Sequence, residues 1–324
     1  SIQYVASSYG QPAIVSMGNT RLGEFAVRIR FAALVCVVLC LAVGGNGLCQ
    51  TTTVVSVNNR GEEGNGSSGA PSISADGTVV AFASDASNLV DGDTNGRQDV
   101  FVRDLKTNET TRVSVGTWEG GGKLTQGNDW SGFTREGNVE VSADGRFVAF
   151  TSMATNLVAD DRNNAMDVFV HDRQTRQTTR VSIGMQDGQV TEANGFSGFG
   201  YCYGRHQVSI SGDGRYVAFL SRASNLVAGD TNGMEDAFVR DRQTGTTTRV
   251  SVSSAGVQGD DDCLAVAISG DGRYVAIHSY ATNMVAGDSN ECGDVFVHDR
   301  QTGTTTRVSV DLSLIHISEP TRPY

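Results

Sequence analysis

Hydrophobic positions in this chain fall into two patterns, and both recur four times. Runs such as residues 215–221 (RYVAFLS) and 236–239 (DAFV) carry apolar side chains on both faces of an extended strand. Segments such as residues 305–310 (TTRVSV) alternate, with Val set against Arg and Ser. A strand apolar on both faces must be covered on both faces, whereas an alternating strand leaves one face wet. Each repeat therefore predicts four antiparallel strands in order: a short strand of small residues, two fully covered strands and an outer strand. An Asp-Gly turn joins the first pair, and its glycine tolerates the positive φ that a tight hairpin needs.

The repeats occupy residues 72–115, 139–183, 208–252 and 267–310. Their turn aspartates are Asp76, Asp144, Asp213 and Asp271. A loop aspartate follows 17 residues on, at Asp93, Asp161, Asp230 and Asp288, and an arginine 36 residues on, at Arg112, Arg180, Arg249 and Arg307. The units are rigid in length, while the inserts between them vary (58–71, 116–138, 184–207, 253–266). Four-stranded sheets repeated face to face around an axis make a β-propeller, and the small first strand suits the crowded centre. The shorter turns of a β-helix fit these units less well.

The S-x-D-G-R-x-V-A-F element, with D-V-F-V-x-D and a T-G turn after it, resembles the repeat of TolB-like β-propellers over residues 72–310. The resemblance implies an all-β propeller of the WD40-like kind. It also implies bacterial envelope or secreted proteins in which such repeats mediate protein contacts. No unit ends in the Trp-Asp pair of true WD repeats. Residues 51–57 (TTTVVSV) copy the outer strand (TTTRVSV, 304–310) without the rest of a unit. In a propeller such a spare strand completes the last blade. The expectation is an incomplete ring: four blades present, of a native six to eight.

Both ends read as something other than fold. Residues 31–43 (FAALVCVVLCLAV) form a short apolar run after Arg21, Arg28 and Arg30 and before small residues, which is the pattern of a secretory signal peptide over 17–49. The run is shorter than the roughly 20 residues a membrane-spanning helix needs. Met17 is the natural start, so residues 1–16 read as upstream read-through. Residues 312–322 (LSLIHISEPTR) resemble a translated sequencing adapter, so 312–324 read as an artefact following a body at 50–311.

The formal charge of −11, with 39 Gly, only 4 Pro and 39% apolar residues, excludes collagen-like and disordered chains. Setting aside the ends removes Arg21, Arg28, Arg30 and Arg322 against Glu24 and Glu319, so the body is more acidic still. No basic stripe exists for nucleic acid. The implied localisation is exported: periplasmic, secreted or cell surface.

Candidate chemistry gathers where the inserts and the loops between the second and third strands share one end of the blades. Each such loop carries Asp-x-Asn-x-x-x-Asp: Asp93, Asn95 and Asp99; Asp161, Asn163 and Asp167; Asp230, Asn232 and Asp236; Asp288, Asn290 and Asp294. Hard oxygen donors at this spacing suit Ca²⁺. Arg97, Ala165, Met234 and Cys292 stand at position five, however, and no glutamate closes the loop. Asx turns explain the same residues, and both readings stay open. The inserts hold Trp118, Trp130, Phe133, Phe196, Phe199, Tyr201 and Tyr203, either an aromatic rim for a protein, peptide or glycan or rings packed beneath their own loops. NDWSGF (128–133) and NGFSGF (194–199) share a sub-pattern. Export permits a disulfide, and Cys263 and Cys292 lie at the same end.

His171 and His298 fill the slot of Arg103 and Arg240 and are read as surface variants of one position. No Ser-His-Asp or Cys-His constellation or phosphate loop is visible. The functional expectation is an exported, non-enzymatic binding or scaffolding propeller. A propeller hydrolase or lyase, the accessory propeller of a peptidase, and a calcium-stiffened adhesion module are the alternatives.

Overall fold

The computed structural model describes residues 52–117, 124–133, 138–186, 189–198, 207–290 and 292–310. The expected leader, the upstream stretch and the adapter-like tail lie outside these residues. No described helix is long and apolar enough to cross a membrane.

The first blade is β1 (Ser68–Ile73), β2 (Val79–Ser84), β3 (Asp99–Asp104) and β4 (Glu109–Arg112), hydrogen-bonded in chain order. A hairpin of β5 (Val115–Thr117) and β6 (Leu124–Gln126) leads to the second blade: β7 (Val139–Val141), β8 (Phe147–Ser152), β9 (Asp167–Asp172) and β10 (Gln177–Arg180). The hairpin of β11 (Ile183–Gln186) and β12 (Gln189–Glu192) precedes the third: β13 (Val208–Ile210), β14 (Tyr216–Ser221), β15 (Asp236–Asp241) and β16 (Thr246–Arg249). The fourth is β17 (Cys263–Ile268), β18 (Tyr274–Ser279), β19 (Asp294–Asp299) and β20 (Thr304–Arg307). All pairings are antiparallel, and the two middle strands keep one register throughout, pairing Phe82 with Phe101, Phe150 with Phe169, Phe219 with Phe238 and Ile277 with Phe296.

The doubly apolar middle strands explain the stacking. One face of each blade packs on the opposite face of the next. Ala81, Val100 and Val102 meet Val148, Phe150 and Phe169; Ala149, Val168 and Val170 meet Val217, Phe219 and Phe238; Ala218, Ala237 and Val239 meet Val266, Val275 and Ile277. Burying such side chains stabilises by about 1.5–3 kcal/mol each, and this repeated seam is the core.

At the Asp-Gly turns the blades are also joined through the backbone. Ala75 N–H donates to Ala143 C=O at 2.9 Å, Ala143 N–H to Gly212 C=O at 3.0 Å, and Gly212 N–H to Gly270 C=O at 2.8 Å. In the second, third and fourth blades the turn glycine is required twice over, by its φ near +70° and by close approach. A Cβ on Gly214 would lie 2.1 Å from the Phe147 ring, and one on Gly272 would lie 2.1 Å from the Tyr216 ring.

Arg146 and Arg215 bind Asp172 and Asp241 of their own blades through paired N–H groups, at 2.9 and 2.7 Å and at 2.9 and 2.6 Å. These bonds hold both carboxyls well below the usual carboxylate range. Arg242 of the following blade then lies 4.5 Å over Phe147, and Arg300 lies 4.2 Å over Tyr216. The first blade has Thr78 and Val79 at these places, and Arg173 reaches back instead to Asp104, at 3.2 Å.

His171 and His298 are not surface variants. Both are buried, with Nδ1 hydrogen-bonded to Thr178 and Thr305, as Arg103 and Arg240 bond Thr110 and Thr247. Each lies directly across from its outer-strand threonine, whose hydroxyl donates in turn to the carbonyl of Val115 or Val252, and burial there lowers the imidazole pKa, to about 4 for His171.

Candidate functional site

The inserts and the loops between second and third strands do share one end of the blades. Asn95 Nδ2 donates to Gly127 C=O (2.9 Å), Asn163 to Ala193 C=O (3.2 Å) and Asn232 to Gly259 C=O (2.9 Å).

The Asp-x-Asn-x-x-x-Asp loops close around an arginine from the outer strand. Arg112 Nη1 stands 3.2 Å from both Asp93 and Asp99; Arg180 Nη1 stands 3.0 Å from Asp161, 3.4 Å from Asp167 and 3.0 Å from Glu192. Arg249 lies 3.3 and 3.5 Å from Asp230 and Asp236, and Arg307 lies 2.7 and 3.3 Å from Asp288 and Asp294. The serine two residues on (Ser114, Ser182, Ser251, Ser309) donates to the other oxygen of the last aspartate. Asn95, Asn163, Asn232 and Asn290 donate to that carboxylate as well, while their own oxygens accept the backbone N–H two residues on.

These donor sets do not fit calcium. The charge a cation would supply already comes from a guanidinium, and among the described residues no group of three or more His, Cys, Asp or Glu is arranged to hold a metal. Two carboxylates share one cation under partial burial. Burial, then the charge of the neighbouring Asp99 or Asp167, pushes Asp93 and Asp161 up to about 6.

A second framework explains the sub-pattern of the inserts. Asn128 N–H donates to Asn156 Oδ1 and Thr155 N–H to Asn128 Oδ1, both at 2.9 Å, and Asn156 Nδ2 reaches Gln126 C=O at 2.9 Å. Asn65 with Asn88, Asn194 with Asn225 and Asp260 with Asn283 repeat this latch. The serine of the sub-pattern is buried against the end of the second strand, Ser131 on Ser152 and Ser197 on Ser221, each at 2.8 Å, and Ser68 on Ser84 is the same bond at 2.9 Å. Gly132 (φ +64°) and Gly198 (φ +72°) turn the chain inward after it.

Cys263 occupies this serine's place in the fourth blade. The bridge expected between Cys263 and Cys292 is not formed, and both are free. Cys263 is turned into the seam between the third and fourth blades, where burial pushes its thiol up to about 12, whereas Cys292 sits exposed in its loop.

On these invariant frames three positions vary from blade to blade. Immediately before the buried serine or cysteine stand Ser67, Trp130, Phe196 and Asp262, whose carbonyls accept from Asp85, Met153, Arg222 and Tyr280 at the end of the second strand. The residue immediately before the third strand is Gln98, Met166, Glu235 or Gly293. Trp130 and Phe196 are exposed, at 48% and 44%. Phe133 packs edge-on to Trp130 at 6.2 Å between centroids, and Arg97 lies 5.8 Å over the indole and 3.6 Å from Asp129. Of the expected aromatic rim, Trp118, Phe199, Tyr201 and Tyr203 lie outside the described residues. In the third blade Arg222 bonds Asp262 at 3.1 Å and lies 3.7 Å from Glu235. Burial pushes Glu235 up to about 8.

Strand order, repeat motif and blade-to-blade stacking settle the architecture. The fold is a stack of four-stranded β-propeller blades. The chain shows likeness to TolB from Acinetobacter baumannii (17% identity, 75% of this chain and 43% of that one, TM-score 0.41). It is also similar to a putative TolB from Agrobacterium tumefaciens (12%, 76% and 63%, TM-score 0.42) and to an oligogalacturonate lyase from Vibrio parahaemolyticus (14%, 72% and 50%, TM-score 0.38). The chain thus spans less than two thirds of the length of each. No protein-family model matches the sequence, and no curated protein is similar to it.

The outer-strand arginines and the paired asparagines were not among the residues the sequence singled out as a site. Their signal was the fixed 36-residue spacing from each turn aspartate and the recurring Asn-Leu-Val or Asn-Met-Val.

Proposed function

We propose that this chain is an exported, non-enzymatic propeller that binds a protein, peptide or glycan partner through its loop end. One observation carries the reading: Trp130 and Phe196 occupy the same place in successive blades, half exposed, on frames whose other residues are fixed by hydrogen bonds. A frame kept constant with one large aromatic set outward at a variable place is the anatomy of a recognition surface. Peptide and glycan arrays probed with the full chain and with a Trp130→Ala/Phe196→Ala variant test it. Retention of defined peptides or glycans, lost in the variant without a change in Tm, supports the proposal. Equal retention by both proteins, or none by either, overturns it.

A second reading, a propeller hydrolase or lyase or the accessory propeller of a peptidase, draws on Arg222, Glu235 and Asp262, the charged group that breaks the repeat. A protonated buried carboxyl beside an arginine is the kind of pair acid–base chemistry uses. Turnover of oligosaccharide or peptide substrates that disappears in Glu235→Gln is the result that would favour it.

A further inference from the structure

Trp130, Phe196 and Asp262 form one row, with one of them at each junction between successive blades, and each is clamped in the same way. Its carbonyl accepts the N–H of Met153, Arg222 or Tyr280 at the end of its own blade's second strand, at 2.9, 3.0 and 3.2 Å. The residue after it, Ser131, Ser197 or Cys263, donates its N–H to the carbonyl of Gln98, Met166 or Glu235 in the preceding blade, at 2.9, 2.8 and 2.7 Å. The row therefore repeats with the blades, and sheets packed face to face stand about 10 Å apart. A polyproline II helix has three residues per turn and rises about 3.1 Å per residue, so it returns a side chain to the same face about every 9 Å. A β-strand places its same-face side chains about 7 or 13 Å apart and does not match the row.

Building on the recognition surface proposed above, we propose that its partner is an extended basic peptide in the polyproline II conformation, with apolar side chains three residues apart on Trp130 and Phe196 and an arginine or lysine three residues further on at Asp262. The two half-exposed rings supply the first two places. The asparagines that frame them, Asn128 with Asn156 and Asn194 with Asn225, are engaged with one another and with backbone. Rings offered without such polar groups suit the apolar side chains of a peptide better than the hydroxyls of a glycan. The third place is acidic. Asp261 is exposed, and its Oδ1 accepts Asp262 N–H at 2.7 Å. Arg222 lies 3.1 Å from Asp262 and 3.7 Å from Glu235. Glu235 is 2% exposed, and its Oε1 has no hydrogen-bond partner among the described residues. One guanidinium among these carboxyl groups leaves acceptors for a second cation. The formal charge of −11 draws the same kind of partner.

Fluorescence anisotropy with the full chain tests this, using the labelled peptide LPSLPSR and its reverse RSPLSPL, because the spacing does not set direction. The controls are LSLPPSR, which has the same composition with its leucines two residues apart, and LPSLPSE. The phased peptide, in one direction, is expected to bind about tenfold tighter than either control. In Trp130→Ala the preference over LSLPPSR is expected to disappear. In Asp261→Asn/Asp262→Asn, where each side chain keeps an oxygen for the N–H it accepts, the preference over LPSLPSE is expected to vanish while the preference over LSLPPSR remains. Equal affinity for LPSLPSR and LSLPPSR, a preference for LPSLPSE, a charge preference that survives in the double variant, or no binding in either direction overturns the inference. Should the arrays still retain other peptides or glycans through Trp130 and Phe196, only this partner falls and the recognition surface stands; should they retain nothing, both fall.

Discussion

Arg180 Nη1 lies 3.0 Å from Asp161 Oδ1, and the contact bridges the outer strand of the second blade to the loop between its middle strands. Both side chains are nearly closed to solvent, and Asp167 and Glu192 share the same guanidinium. Removing one partner of a buried ion pair leaves uncompensated charge and costs about 3–5 kcal/mol. Arg180→Met is therefore expected to lower unfolding free energy by about that amount, read from urea denaturation. The equally charged but exposed Arg162, paired with Asp160, is expected to cost about 0–1 kcal/mol when replaced by Met. Similar losses at both sites would refute the pivot role.

The same arrangement predicts how the loops respond to calcium. With the guanidinium in place, millimolar Ca²⁺ is expected to give no binding heat and no change in Tm relative to EDTA. In Arg180→Met the carboxylates of Asp161, Asp167 and Glu192 lose their cation, and Ca²⁺ is expected to restore part of the lost Tm. Calcium-dependent stabilisation of the unaltered chain would show that the arginines yield to metal.

Glu235 sets a pH dependence with a definite sign. Burial raises its carboxyl from 4.5 to about 8, with Arg222 opposing the shift and Asp262 adding to it. Between about 4.5 and about 8 the folded chain keeps a proton that the unfolded chain releases, so this group's contribution to stability falls as pH rises through that window. Glu235→Gln keeps the shape and cannot ionise. The stability difference, variant minus original, is expected to grow from pH 5 to pH 8.5 and then level. His171, lowered to about 4, acts in the opposite direction on acidification but cancels in this difference. A difference that stays flat across the window would place a charged Glu235 in the fold at neutral pH.

The architecture was legible because its determinants are local. Asp-Gly turns, doubly apolar middle strands and an alternating outer strand each constrain strand order without reference to distant residues, and all four sheets follow that order. The loop chemistry was less legible because ligand spacing does not say which cation arrives. The oxygens of Asp93 and Asp99 suit a metal by pattern, and only the packing of the outer strand brings Arg112 between them. The histidines were misplaced for a related reason. A polar residue in a strand reads as surface, yet His171 and Arg103 are both buried beside the outer strand with a threonine hydroxyl as partner. The Cys263–Cys292 pairing failed because sharing one end of a blade does not set orientation, and Cys263 points into a seam.

Gly77 and Gly214 open the way to measuring one blade-to-blade contact without altering any turn geometry between the two tests. Both sit in Asp-Gly turns at φ +71°. An alanine at either place meets the left-handed penalty of roughly 1–2 kcal/mol. At Gly77 a Cβ would meet nothing within 4 Å, so Gly77→Ala is expected to cost that penalty alone. At Gly214 the Cβ would lie 2.1 Å from the Phe147 ring of the preceding blade, which Arg146 and Arg242 flank at 4.6 and 4.5 Å. The ring cannot swing aside without leaving both guanidinium groups, so Gly214→Ala is expected to cost about 1–3 kcal/mol more than Gly77→Ala in denaturant titrations. Measured in a Phe147→Ala background, Gly214→Ala should cost only the left-handed penalty, because the ring it meets is gone. Equal costs at the two glycines would mean that the second and third blades do not press together at this turn.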